Sequence, residues 1–166
     1  MRNTRRSLLL TVFVTLGLTS LPLQAGRIIH ITGGGQGTFG FDLDADGDID
    51  GSHFGIGVDI LGGGAAQGHF TCLMAGNKEF MGLHLMLVEG QVDAGTANSS
   101  AGTGSFSGSG TLHINNDKED VTFVVHIVQE GGPGVGQFQL TVYDSSGGLI
   151  VAFPPEMVES GQIMMH

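Results

Sequence analysis

Tryptophan is absent from this sequence, tyrosine and cysteine occur once each, and prolines number four among 166 residues. The lone Cys72 excludes an internal disulfide, even in an oxidising compartment. One tyrosine and no tryptophan leave nothing to build the aromatic girdles of a transmembrane β-barrel. Beyond the N-terminus no segment approaches the ~18 consecutive apolar residues of a membrane-spanning helix. Basic residues are scarce too: six, against sixteen carboxylates. That balance argues against nucleic acid and anionic lipid as partners, and favours solubility or cation binding.

Three of the six basic residues, Arg2, Arg5 and Arg6, open the chain. An apolar run over residues 8–18 follows, broken only by Thr11, Thr15 and Gly17, and then Pro22 and Leu23-Gln24-Ala25. A positive start, a short apolar stretch and a small-residue exit describe a secretory signal. Cleavage is expected after Ala25, and no cysteine follows it to carry a lipid. Residues 26–166 then form the mature part, one glycine-rich domain with a net charge of −13. A chain of that length buries roughly two-thirds of its surface and needs no disulfide to fold.

What is abundant is glycine, thirty residues of it, set among period-two alternation. Phe39, Phe41 and Leu43 alternate with small or acidic residues, as do Phe54, Ile56, Val58 and Ile60. Phe70, Cys72 and Met74 follow the rule, then Met81, Leu83, Leu85 and Leu87, then Phe138, Leu140 and Val142. Alternation of this kind is the signature of antiparallel strands with one solvated face. Helical spacing is nowhere sustained. The expected core includes Phe41, Phe54, Ile56, Phe70, Leu83, Phe123, Leu140 and Val142. Turn chemistry predicts a two-residue hairpin loop at Gly76-Asn77. Two further hairpins are expected at Asn116-Asp117-Lys118-Glu119 and at Gly131-Gly132-Pro133-Gly134. The small and polar stretch 89–104 reads as a mobile low-complexity loop. The fold class is all-β, an antiparallel meander of about 8–10 strands forming a closed barrel or a sandwich. Residues 27–32 and 162–166 are placed to pair and close it.

Several motifs occur together and in order: Gly37-Thr38-Phe39-Gly40-Phe41, Thr71-Cys72-Leu73, Gly76-Asn77, Pro133-Gly134-Val135-Gly136 with Phe138, and Gly161-x-Ile163-x-x-His166. In these the chain resembles the post-COAP domains, small exported bacterial β domains found alone or at the ends of larger extracellular proteins. The resemblance covers most of residues 37–166. It implies bacterial export and β architecture, and it supplies no activity or functional residue to carry over. The chain differs from that pattern in the acidic run 42–50 and in Phe153-Pro154-Pro155.

The sharpest candidate site is that acidic run. Asp42, Asp44, Asp46, Gly47 and Ile49 match a calcium loop's oxygen ligands, its sharp-turn glycine and its apolar eighth position. Asp48 offers a carbonyl and Asp50 a water-mediated carboxylate. The twelfth position, normally a bidentate carboxylate, is His53. The competing reading is a solvated hairpin tip, which five mutually repelling carboxylates disfavour unless a cation is present. A second candidate rests on register. If Gly76-Asn77 is a two-residue loop, His69 faces His84, and a turn centred near Gly64 sets Asp59 beside His69. Asp59, His69 and His84 would then form a zinc-sized row across three strands, against a competing reading of ordinary solvent-facing side chains.

Other patterns carry less. Residues 35–40 match a dinucleotide-binding glycine pattern, but a strand and not a helix follows, so no helix N-terminus faces a phosphate. The serine-glycine stretch 105–110 contains no nucleophile elbow. Its Gly108 and Gly110 share the inward face with Phe106 and Leu112, which points to packing against a bulky neighbour. Asn98-Ser99-Ser100 fits a glycosylation acceptor in a loop. Cys72 alternates inward as a small core residue. Glu156 and Glu159 are expected to be surface charge. No catalytic set is legible, and no cofactor other than calcium is suggested. The expectation is a non-catalytic, secreted or periplasmic β module with a structural or interaction role toward a protein, glycan or cell-surface partner. The alternative is an extracellular domain that binds calcium or a small ligand.

Overall fold

The structure, a computed structural model, describes residues 27–42, 51–80, 83–114 and 117–166, with the side chains of 75–80 and 83–85 excepted. Nine antiparallel strands account for most of them. In chain order these are β1 (Ile29–Thr38), β2 (Gly51–Ile60), β3 (Ala66–Phe80), β4 (Leu83–Asn98), β5 (Thr103–Ile114), β6 (Asp117–Gln129), β7 (Gln137–Asp144), β8 (Leu149–Ala152) and β9 (Glu156–Met165). A three-residue 3-10 turn at Gly62–Gly64 joins β2 to β3, and among the described residues no helix is long and apolar enough to cross a membrane.

Each strand from β1 to β7 pairs with the next, and β7 and β1 both pair with β9, so eight strands hydrogen-bond in a continuous ring. Strand β8 pairs with β7 alone. The expected pairing of the two ends is present: Ile31 faces Met165 and Thr32 faces Met164. The ring is unevenly sewn. β1 and β2 share ten register pairs, whereas β7 and β9 share two, Gln137 with Met157 and Phe138 with Glu156.

Alternation puts one side-chain row of each strand inside the ring, where apolar groups leave water together. Phe54, Ile56, Val58 and Ile60 on β2 are buried, as are Phe138, Leu140 and Val142 on β7. The largest fully buried side chains include Phe39, Phe70, Phe106, Phe123, Phe138 and Phe153. Phe70 is at the centre, its ring centroid 5.8 Å from Phe106 and 5.5 Å from Phe123. Space for these rings comes from glycine. Gly90 on β4 faces Gly110 on β5, and a Cβ on Gly90 would lie 2.8 Å from Phe123 Cε1. At Gly108 and Gly110, where packing against a bulky side chain was expected, an added Cβ would instead meet the β4 backbone at Gln91 and Glu89; it is Gly90 that packs against a ring, Phe123.

Four local expectations are overturned. The stretch 89–104 is not a mobile loop, because β4 runs to Asn98 and β5 starts at Thr103, leaving a four-residue turn. Asn98 Oδ1 accepts from the backbone N–H of Ser100 and Ala101, which fixes that turn. Small residues there serve close approach of strands and rings, not flexibility. Phe41 is 57% exposed, because β1 ends at Thr38 and the alternation that carries Phe39 inward does not continue. On β4 the phase is reversed: Met86 and Val88 point inward while Leu87 is half-buried. Leu83, also expected inside, has a side chain outside the described residues. The β5–β6 turn is also tighter than expected, with Ile114 facing Asp117 directly.

Candidate functional site

Burial sorts the ionisable groups, since a charged side chain loses its hydration when enclosed and is kept there only if it is neutralised or well bonded. Among the described residues one carboxyl is enclosed. Glu156, the first residue of β9, is 1% exposed, although the sequence reading placed it on the surface. The Ser52 hydroxyl on β2 donates to Glu156 Oε2 at 2.5 Å. A Cβ on Gly37 of β1 would lie 2.7 Å from that same oxygen, so a side chain there would push the carboxyl from its place. Burial pushes the Glu156 carboxyl up to about 7, and hydrogen bonds from the Ser52 side chain and backbone oppose the shift without cancelling it. Cys72 on β3 faces the same cluster. Burial, and secondarily the Glu156 charge, pushes its thiol well above the ordinary range, so it remains a protonated, unreactive thiol. The signal for Glu156 was present in the sequence. It stands two residues before the buried Val158, hence on the inward phase of β9.

A second polar cluster lies on the outer face. His30 on β1 faces Asp59 on β2, which faces Gln67 on β3. His30 Nδ1 donates to Asp59 Oδ1 at 2.6 Å, and Gln67 Nε2 donates to Oδ2 at 3.3 Å. The His30 bond, then the Gln67 bond, holds the Asp59 carboxyl below its ordinary value. The His166 ring is 5.6 Å from that of His30, and the two residues exchange backbone hydrogen bonds. These are half-exposed to exposed groups held in place by cross-strand register.

The expected sites fare differently. Asp44, Asp46, Asp48 and Asp50 lie outside the described residues, and Asp42 stands at their border. Thr38 and Gly51 are register partners, so residues 39–50 connect two adjacent antiparallel strands. The row of Asp59, His69 and His84 does not form. Asp59 faces Gln67, while His69 faces Gly57 on one side and Gln91 on the other. His84 is seven positions from Gln91 along β4, roughly 23 Å at strand rise. The error arose at Gly76-Asn77, because Ala75 faces Leu85 and not Lys78, with a register shift before Phe80 and Leu83 pair. Among the described residues no group of three or more His, Cys, Asp or Glu is placed to hold a metal ion.

Fold and clusters together define the class: an antiparallel β ring packed with phenylalanine, with one sealed carboxyl inside and a histidine–aspartate row outside. Comparison with family models, with curated proteins and with solved structures gives no match.

Proposed function

We propose that this chain is an exported bacterial β module that works as a structural or interaction-bearing element and not as a catalyst. One observation carries the reading: the groups with chemical potential inside the ring are committed to one another. Glu156 is bonded to Ser52 under Gly37, and Cys72 is a buried thiol beside them. A general acid or a nucleophile must reach its substrate. Buried phenylalanine and aliphatic side chains occupy the interior, which weighs against the alternative of a small apolar ligand held within it. Recognition then falls to the outer face, whose net negative charge favours a cationic or polar protein, glycan or cell-surface partner. The basic, apolar and small-residue pattern of residues 1–25 and the post-COAP resemblance support export.

The test is fractionation of producing bacterial cells with mass spectrometry of the recovered protein. A periplasmic or extracellular species beginning at or near Gly26 is expected. An intact cytoplasmic chain that retains Met1 would overturn the proposed address and with it the proposed role.

A second reading is favoured by the pairing of Thr38 with Gly51. Asp42, Asp44, Asp46, Asp48 and Asp50 fall in a connection anchored at both ends by the sheet, a setting in which calcium would relieve the repulsion among them. Calcium would then be a structural ligand of the same module.

A further inference from the structure

The ring has its fewest strand-register pairs where Glu156 sits. Only Gln137–Met157 and Phe138–Glu156 join β7 to β9 by strand register, beyond which the glycine-rich segment 131–136 takes over the contact with β9. On the chain's other side Phe153, Pro154 and Pro155 separate β9 from β8, so the start of β9 has no strand continuing through it. The Glu156 side chain runs from this seam along the inner wall over Gly37 of β1 and is tied to Ser52 on the next strand, β2. Its neighbours are Gly37 from β1, Ser52 from β2, Cys72 from β3 and Phe138 from β7. Cys72 is the titratable one among these and stays a thiol across the neutral range. No cation among these neighbours compensates a negative charge on Glu156.

We propose that the β7–β9 seam is a proton-operated latch, shut while Glu156 is protonated and released when its carboxyl ionises. A neutral acid satisfies Ser52 in the apolar interior, whereas a carboxylate without a counter-ion is driven toward water. It reaches water by lifting Glu156, the first residue of β9 and the one that precedes the β1 register, off Phe138 and away from Ser52. The opening is local, since β1 holds the rest of β9 by an extended register from Ile31–Met165 to Thr38–Met157. A domain delivered to an acidic surrounding would be closed there and would loosen at neutral pH.

Cys72, the only cysteine of the chain, is a built-in reporter beneath the seam. The experiment measures the rate of Cys72 alkylation in the purified full chain from pH 5 to pH 8. Each rate is divided by that of the same chain unfolded in denaturant, which removes the intrinsic reactivity of the thiol. The corrected rate is expected to rise about tenfold per pH unit, up to ~100-fold from pH 5 to pH 7, and then level off. Glu156→Gln is expected to flatten the profile. In the unsubstituted chain, carbon-13 NMR of the Glu156 carboxyl must give a titration midpoint that coincides with the levelling-off. A flat profile in the unsubstituted chain overturns the latch, as does an equal slope in Glu156→Gln. Should that variant not fold, a Glu156 midpoint at the ordinary glutamate value overturns it equally, and a coincident midpoint sustains it.

Discussion

Phe123→Ala probes the packing argument most directly. The ring is 0% exposed, lies 5.5 Å from Phe70 and covers the bare backbone of Gly90. Truncating a buried phenylalanine costs roughly 3–5 kcal/mol through lost transfer energy and the cavity left behind. The lost Phe70 contact adds to the area burial by ~0.5–1.5 kcal/mol when counted separately. The upper half of the range is expected, because the cavity floor cannot collapse. Gly90 and Gly110 have no side chains to swing into the space, and their backbones are already paired across β4 and β5. A loss of about 4 kcal/mol corresponds to a Tm lower by roughly 12 °C for a domain of this size. Without tryptophan, far-UV circular dichroism in a urea titration is the suitable readout, with the midpoint moving and the slope unchanged. Phe123→Leu should recover at least half of the loss, since it refills most of the volume. A cost below about 1 kcal/mol for Phe123→Ala would refute both the burial and the inward phase assigned to β6.

Further outcomes follow from the polar groups. Because Glu156 binds its proton up to about pH 7 when folded and an ordinary glutamate releases it near 4.5, the folded state holds the extra proton between those values. Stability is therefore full below about pH 4.5, falls as pH rises through 7 and then levels, a loss on the order of 3 kcal/mol. In Glu156→Gln the fall should be absent and stability at pH 8 higher than in the unsubstituted chain; parallel pH profiles of urea midpoints would contradict this. If residues 42–50 hold calcium with a Kd near ~10⁻³ M, ~10 mM calcium should add about 1.4 kcal/mol and raise Tm by roughly 2–6 °C. Magnesium should do less, and Asp46→Asn should abolish most of the calcium shift. Equal shifts from both ions that persist in Asp46→Asn would mean charge screening alone.

Much of the architecture was legible because it depends on short-range regularities. The two-residue alternation of Phe54, Ile56, Val58 and Ile60, or of Phe138, Leu140 and Val142, needs no partner to be read. Once a strand lies on a core, its parity decides which face is buried. The inward Cys72 and the pairing of the two ends followed from the same parity and from strand count. Glycine was more ambiguous. In the stretch 89–104 it resembled loop composition, and only the rings of Phe70, Phe106 and Phe123 from the neighbouring strands show why small residues are required in strands there.

Register was the link that composition could not supply. Gly76-Asn77 has hairpin chemistry, but the energy of a turn is small beside that of a whole face of cross-strand contacts, so the sheet chose the alignment of Ala75 with Leu85. That choice dispersed Asp59, His69 and His84 and delivered His30 and Gln67 to Asp59 instead. Likewise, the alternation of β9 marked Glu156 as inward-facing, yet chemistry argued for the surface. What encloses the carboxyl is the meeting of β1, β2, β3 and β7 around it: Gly37 makes room, Ser52 bonds it, and Phe138 and Cys72 exclude water. The all-β character, the acidity and the N-terminal segment were thus determined by the sequence alone, because each is a property of neighbouring residues or of simple counts. Which side chains meet was decided only by the tertiary structure, because closing a ring joins residues far apart in the chain at positions set by the sum of all its registers.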